Sequence, residues 1–534
     1  MKSQLSTSGS WRWFAALAMT VISLALTIAC EGDDDDDLDA DDDDFMADDD
    51  DDDAMDDDDD DDNDTGDDDD DNDTGDDDTG DDDTGDDDTG DDDTADDDTG
   101  DDDTGPEERL IWTFEPPDGK AHVECVGSIE DIDGDDVPDI LAHAFDSINT
   151  PDEADTTFCI SGASGGDATL IWGAHPKNDH PTYPSDSGGD GDRILTSVRD
   201  LNGDGVEDVL LGTAWGNRTA YALDGADGSK IWMFCTYTNP GSPDDGWIMS
   251  IDAFPDVTGD GVPEAIFGVG SDNNGGYLVD GADGSVLWRL AVSDDAIYDV
   301  DALDDINGDD TPDAVLAGGD NEDRVFAVEG DSSGTGNVLW TADTGNNYCL
   351  ATIADLNSDG YKDVLAGSWG ANAVVAVNGY TGATLWTSTA SLAPIRIVPL
   401  DDVNDDGVPD LAAVGLLDDD VFVIDGADGS SIWVRRGPAS DSIWAVDRLE
   451  DINDDGVNDV IAGSFDSWVI AMDGKTGDTI WSYDTGEAKV MTVRGVPDVT
   501  GDGLPDVVAG TQCLDTSTPG SGTVFLLNGD PDAI

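Results

Sequence analysis

A nine-residue acidic segment occurs eight times in this 534-residue chain, and it constrains the possible folds more than any other feature. The copies are DIDGDDVPD from Asp131, DLNGDGVED from Asp200, DVTGDGVPE from Asp256, DINGDDTPD from Asp305, DLNSDGYKD from Asp355, DVNDDGVPD from Asp402, DINDDGVND from Asp451 and DVTGDGLPD from Asp498. After intervals of 69 and 56 residues the spacing settles to 47–50. A period of this size means one supersecondary unit repeated, each unit burying its apolar faces against its neighbours.

Charge divides the chain. Of its 130 acidic side chains, 49 fall in residues 31–105, which hold no basic residue and resolve towards their end into DDDTG units. Repulsion at this density, with almost nothing apolar to bury, predicts a disordered, extended tether over residues 30–105. At about 3.3–3.6 Å per residue it reaches roughly 250 Å. Residues 106–534 carry 17 basic against 81 acidic side chains. That balance excludes nucleic acid, which requires a cationic face, and selects divalent cations over anionic lipid headgroups.

Residues 1–29 have the pattern of an export signal: Lys2 and Arg12, then an apolar run from Trp13 ending in small residues. Thr27, Ile28, Ala29 and Cys30 resemble the lipobox of bacterial lipoproteins, with Thr27 where leucine is usual. The resemblance implies lipidation at Cys30 and a membrane contact through a lipid anchor, in the outer membrane or at the cell surface. Five cysteines follow, Cys125, Cys159, Cys235, Cys349 and Cys513, without a CxxC or an adjacent pair. In an exported protein two disulfides and one free thiol are expected.

Beyond Pro106 each unit repeats one order: a short strand, the acidic loop, two apolar strands, a glycine turn and a strand ending in Trp. In the fifth unit these are LATIA, the loop from Asp355, VLAGS, VVAVNG and TGATLW. Four short strands in about 50 residues describe a propeller blade. The expected fold is all-β, an eight-bladed β-propeller over residues 106–534. The tryptophans Trp112, Trp172, Trp232, Trp288, Trp340, Trp386, Trp433 and Trp481 are also eight, but the first precedes the first acidic loop and the last unit has none. ERLIW, residues 108–112, is therefore expected to supply the outer strand of the last blade and close the ring.

The segment with Ala222, Asp224, Gly228 and Trp232 resembles the tryptophan-docking motif of quinoprotein-type propellers, and residues 376–386, 423–433 and 471–481 share its spacing. The indole is expected to stack between blades, with its N–H on a backbone carbonyl.

The acidic loops suit a hard cation. Calcium takes six to eight oxygens at about 2.3–2.6 Å, and each loop offers oxygen at positions 1, 3, 5 and 9, with a carbonyl at position 7. The candidate ligands are Asp131, Asp133, Asp135 and Asp139; Asp200, Asn202, Asp204 and Asp208; Asp256, Thr258, Asp260 and Glu264; and Asp305, Asn307, Asp309 and Asp313. The second half of the chain adds Asp355, Asn357, Asp359 and Asp363; Asp402, Asn404, Asp406 and Asp410; Asp451, Asn453, Asp455 and Asp459; and Asp498, Thr500, Asp502 and Asp506. Position 6 is Gly in six copies and Asp136 or Asp310 in two, which predicts a left-handed backbone there. The loops resemble those of FG-GAP and VCBS repeats, which implies up to eight structural calcium ions. The third and eighth loops, with Thr258 and Thr500, should bind more weakly.

The four histidines, His122, His143, His175 and His180, are expected to be solvated loop residues. Unusually long loops at 146–157, 173–193, 235–247 and 512–523 fall in units 1, 2, 3 and 8 and suggest one binding sector. Residues at the innermost strands that core packing does not explain form a possible ligand face: Tyr298, Asp299, Tyr348, Arg396, Trp444, Asp447 and Arg494. No catalytic constellation is recognisable. The expected function is a monomeric, calcium-binding, envelope-anchored adhesion or binding module for a glycan or protein, and not an enzyme. The alternatives are a quinone-dependent dehydrogenase, though the adjacent cysteine pair of that family is missing, a polysaccharide lyase, and an envelope assembly scaffold.

Overall fold

The computed structural model describes residues 108–534 except 118–121, 146–155, 177–192, 215–217, 237–245, 271–273, 293–295, 320–321, 438–441, 514–521 and the single residues 392, 418 and 487. The signal segment, Cys30 and the acidic tether lie outside the described residues, as does most of each long loop. Contacts divide the chain at residues 103 and 104, and everything below concerns the second unit.

The described part is all β-strand and turn, in seven sheets. Six are each built on one repeat, and that of unit 3 also takes in Gly334–Thr335 of unit 4, parallel to Trp288 and Arg289. In unit 5, for example, Asn347–Ile353, Asp363–Ser368, Ala373–Val377 and Thr384–Ser388 pair antiparallel in sequence order. The seventh, of nine strands, contains units 1 and 8, linked by the pairing of His122 with Gln512 and by the parallel pairing of Trp112 and Thr113 with Gly166 and Asp167. Leu110–Phe114 runs antiparallel to Val524–Leu527 and so forms the outer strand of unit 8, although some 410 residues separate them in the chain.

Burial follows strand position. The second and third strands of unit 2, DVLLG and TAYAL, are buried along their whole length, whereas its outer strand KIWMFC alternates at first. Continuous apolar runs are what a strand needs when sheets cover both its faces. The apolar clusters are shared between consecutive units: Leu210 and Trp232 of unit 2 pack with Phe267 and Tyr277 of unit 3. Trp112, Leu526 and Val508 of unit 8 pack in the same way with Val126 and Phe158 of unit 1.

Seven tryptophans follow the expected docking. Each indole N–H donates to a glycine carbonyl of the next unit, from Trp172 to Gly225 at 2.7 Å through Trp433 to Gly474 at 2.8 Å and Trp481 to Gly529 at 3.1 Å. The ring also lies on the turn of that unit: a Cβ on Gly228, Gly382 or Gly477 would lie within 2.6–2.8 Å of Trp172, Trp340 or Trp433. Trp112 is the exception, fully buried with no hydrogen-bond partner for its Nε1.

Two expectations need correction. Cys159 and Cys235 are buried free thiols, and the buried thiols of Cys125 and Cys349 donate to the carbonyls of Leu195 and Pro394, so these four form no disulfides. Cys125 and Cys159 lie in one inter-unit apolar cluster and Cys349 in another. The histidines are not all solvated. His143 is fully buried on a strand with Nδ1 3.1 Å from Thr157 Oγ1, and burial together with the Lys489 ammonium pushes His122 down to about 4. His180 lies outside the described residues.

Candidate metal loops and the axial cavity

Each acidic loop is organised by its first aspartate. In unit 1 Asp131 Oδ1 accepts the amides of Gly134 and Asp135 at 2.7 and 3.1 Å, and Oδ2 that of Asp136 at 2.7 Å. Unit 2 repeats this with Asp200 and the amides of Gly203, Asp204 and Gly205. Desolvation works against ionisation here, but the amides outweigh it and hold Asp131, Asp200, Asp256, Asp305 and Asp355 below the usual carboxylate range. Position 5 accepts the amide of position 7, as Asp135 does from Val137 at 2.9 Å.

Position 6 is left-handed throughout, including Asp136 and Asp310, both at φ 71°. Position 4 is left-handed as well: five copies have Gly, and Ser358, Asp405 and Asp454 stand at φ 62–65°. Sequence reading missed this second reversal, whose only trace is a preference for Gly, Ser or Asp. Asp310→Gly should therefore stabilise the fold by about 1 kcal/mol, the cost of a non-glycine residue in this region, with urea denaturation as the check.

Position 9 has a second task. Asp139, Asp208, Glu264, Asp313, Asp363, Asp410, Asp459 and Asp506 are all buried. One oxygen accepts the amide of position 2, as Asp208 does from Leu201 at 2.6 Å, and the other accepts the amide of a turn glycine, whose carbonyl receives a tryptophan in every unit but the first. In unit 7 the chain runs from Asp459 Oδ1 to the Gly474 N–H at 3.0 Å, and from the Gly474 carbonyl to Trp433 of unit 6 at 2.8 Å. The acidic loop, the glycine turn and the neighbouring unit are thereby tied together. Burial pushes Asp139, Asp208, Asp313, Asp363, Asp410 and Asp506 up to about 6 and Asp459 to about 7, against the pull of the two amides. Glu264 is raised for the same reason.

The carboxylates converge as a metal site requires. Single oxygens of Asp131, Asp133 and Asp139 lie within 4.8 Å of one another, as do those of Asp309, Glu329 and Asp331. Oxygens about 2.4 Å from one central ion are at most about 4.8 Å apart, so both groups fit calcium. The second group brings in Glu329 and Asp331, from the turn before Trp340, to which the sequence reading gave no such role. The same turn meets the loop in other units, with Asn202 Nδ2 3.0 Å from Asp224 and Asn404 Nδ2 3.1 Å from Asp425. The signal was present in the sequence: the third residue of the docking segment is oxygen-bearing in Asp224, Asn378, Asp425 and Asp473.

The proposed ligand face separates into two groups. Asp299, Arg396, Asp447 and Arg494 line a cavity of about 320 Å³ enclosed by the innermost strands of units 2 to 8. Tyr298, Tyr348 and Trp444 do not. Tyr298 stacks on Tyr348 and Tyr348 on Trp369, at 4.5 and 4.6 Å, while Trp444 stacks on Phe465 at 4.9 Å. Tyr298, Tyr348 and Trp444 are each the unpaired residue of a register shift in the inner strand, whereas Asp299, Arg396, Asp447 and Arg494 are paired in the ladder. Sequence reading also missed Arg193, whose guanidinium meets Asp299 at 2.8 Å and donates to the carbonyls of Leu350 and Ile397. A side chain from unit 2 thus ties units 4, 5 and 6 together.

Residues 216–405 match a family model described as outer membrane protein assembly factor BamB. This segment carries the BamB-like repeat in a propeller-like β fold. No curated protein matches the chain. Among solved structures, Sqt1 of Saccharomyces cerevisiae is 14% identical with a TM-score of 0.51, covering 79% of this chain and 99% of its own. BamB of Moraxella catarrhalis is 13% identical with a TM-score of 0.45, covering 78% of this chain and 97% of its own. The likeness to Sqt1 is one of fold alone.

Proposed function

We propose that the chain is an eight-bladed, calcium-stabilised propeller, closed between its first and last strands and anchored to the cell envelope through a lipid on Cys30. It serves there, as a monomer, as a non-enzymatic binding or adhesion module for a glycan or protein. The observation that carries this reading is the convergence of carboxylates at the first and fourth loops, on a backbone scaffold that all eight loops share, with position 9 buried and tied through a glycine turn to the preceding unit. Closure is supported by the pairing of Leu110–Phe114 with Val524–Leu527 and by the apolar cluster common to units 8 and 1. The ion supplies positive charge among carboxylates that otherwise repel. The four oxygen-bearing residues named for each loop would hold it, with Glu329 and Asp331 adding to the fourth site.

Thermal unfolding of the intact chain, first with chelator and then with calcium, tests the reading. A ligand that binds only the folded state at about 1,000 times its Kd contributes about 4 kcal/mol per site, so several filled loops should raise Tm by 10 °C or more. The same titration on a chain with Asp131, Asp200, Asp355 and Asp451 changed to Asn should lose most of that rise. A Tm indifferent to calcium would leave the loops as self-closed turns.

The family match at residues 216–405 supports a second reading, an envelope assembly scaffold. Stoichiometric co-purification of one membrane protein complex from the native envelope would favour it over free adhesion.

A further inference from the structure

The axial cavity is built in layers. Counting register from position 9, the residues paired two places beyond it include Asp252, Asp301, Asp447 and Arg494, opposite Ile266, Val315, Ile461 and Val508. They therefore stand at one level around the axis, on strands of units 3, 4, 7 and 8. One layer further, opposite Gly268, Ala317 and Val414, stand Ser250, Asp299 and Arg396. All seven line the cavity.

Charge in these layers is uneven. Asp252, Asp299 and Asp301 belong to the adjacent units 3 and 4, while Arg396 and Arg494 belong to units 6 and 8, with Asp447 of unit 7 between them accepting the Gly495 amide at 3.2 Å. Asp299 is matched by Arg193, and Asp301 takes the N–H and O–H of Thr352 at 2.8 and 2.9 Å. Asp252 has one such contact among the described residues, the Ala253 amide at 2.7 Å. Burial, reinforced by Asp301, pushes its carboxyl up to about 7. Beside it on the same strand face, Ser250 is 1% exposed and its hydroxyl has no hydrogen-bond partner. A buried hydroxyl without a partner is costly, and one lining a polar cavity signals a missing ligand.

We propose that this cavity binds a small zwitterion of amino-acid to dipeptide size, its ammonium on Asp252 and Ser250 and its carboxylate towards Arg396 and Arg494. A cavity of about 320 Å³ lies at the small end of ligand sites. A lone cation meets three arginines there and a lone anion meets four aspartates. A sugar finds no aromatic ring in the lining to stack on. The inference adds a small-molecule site to the module proposed above and rests on its ring, but not on calcium or on the glycan or protein partner.

The test is calorimetric titration of the intact chain in calcium with glycine, L-serine and glycylglycine, and with methylammonium, acetate and glucose as comparisons. At least one zwitterion should bind, and the separate ions and glucose at least about 100-fold more weakly. Asp252→Asn and Ser250→Ala should each weaken that binding about tenfold or more without altering the calcium-dependent rise in Tm. Absence of zwitterion binding at millimolar concentration, equal binding of acetate, methylammonium or glucose, or unchanged affinity in both variants would each overturn the proposal. Zwitterion binding in a protein whose Tm ignores calcium would uphold the cavity and remove the calcium reading.

Discussion

Gly474→Ala should lower stability by about 3 kcal/mol or more, among the largest effects open to a single surface-loop methyl group. The new Cβ would lie 1.9 Å from the Asn458 carbonyl oxygen and 3.0 Å from its carbon, both backbone atoms that no rotamer change can clear. Moving the glycine away breaks its amide bond to Asp459 and its carbonyl bond to Trp433, which couples unit 7 to unit 6. The same contact recurs at Gly162, Gly225, Gly281, Gly330, Gly379, Gly426 and Gly529, each 1.8–2.0 Å from the carbonyl of loop position 8. Gly456→Ala is the control. It stands at φ 87° with nothing within 4 Å of a Cβ, so only backbone strain of about 1–2 kcal/mol applies. Thermal and urea unfolding of both variants decides the matter: equal losses would mean that the glycine staple does not couple the units.

The second expected result is a pH dependence whose sign calcium reverses. Without the ion, burial holds the position 9 aspartates of the folded chain near 6, or 7 for Asp459, above the 3.8 of an unperturbed aspartate. Between these values the folded state holds more protons than the unfolded state, so stability is present below about pH 4 to 5 and falls as pH rises through 6. Chelated protein should therefore melt higher at pH 5 than at pH 7. Below pH 4 the trend turns, as Asp131, Asp200, Asp256, Asp305 and Asp355, held low by their amides, are forced to protonate. If the loops take calcium as proposed, the ion binds their ionised form and protons compete with it, so in saturating calcium Tm should instead be higher at pH 7 than at pH 5. Differential scanning calorimetry at both pH values, with chelator and with calcium, reads the two slopes. Slopes of the same sign would separate the buried carboxylates from any metal site.

Much of the fold was legible because it is periodic. The acidic loops, the apolar strand pairs and the tryptophans each repeat at one interval, and repetition reveals which positions a single structural environment demands. ERLIW could be assigned to the last unit by counting alone, and its pairing with Val524–Leu527 is an antiparallel ladder of the expected kind. The tryptophan docking was readable for the same reason, except at Trp112, whose buried N–H lacks the glycine carbonyl that the other seven find.

The sites were less legible where they are assembled across units. Position 9 was read as a ligand but is also a hydrogen-bond staple, because only in the folded chain does the glycine amide of the following turn come within 3.0–3.1 Å of it. Glu329 and Asp331 joined a metal group only when the turn before Trp340 folded over the fourth loop. The aromatic and charged residues at the inner strand starts, taken together as one face, separated because the aromatics stand at register shifts and the charged residues in the paired ladder.

The sequence by itself determined the repeat, the strand order within each unit, the left-handed turn at position 6 and the strongly anionic character of the chain. These depend on local periodicity, backbone sterics and summed charge, all of which can be counted along the chain. The tertiary structure alone decided the glycine staple, the reach of Arg193 across units 4 to 6 and the polarity of the axial cavity. Each of these depends on which residues of distant units share one level and one side of the inner strands, and strand register, a cooperative property of all the paired sheets, sets that arrangement.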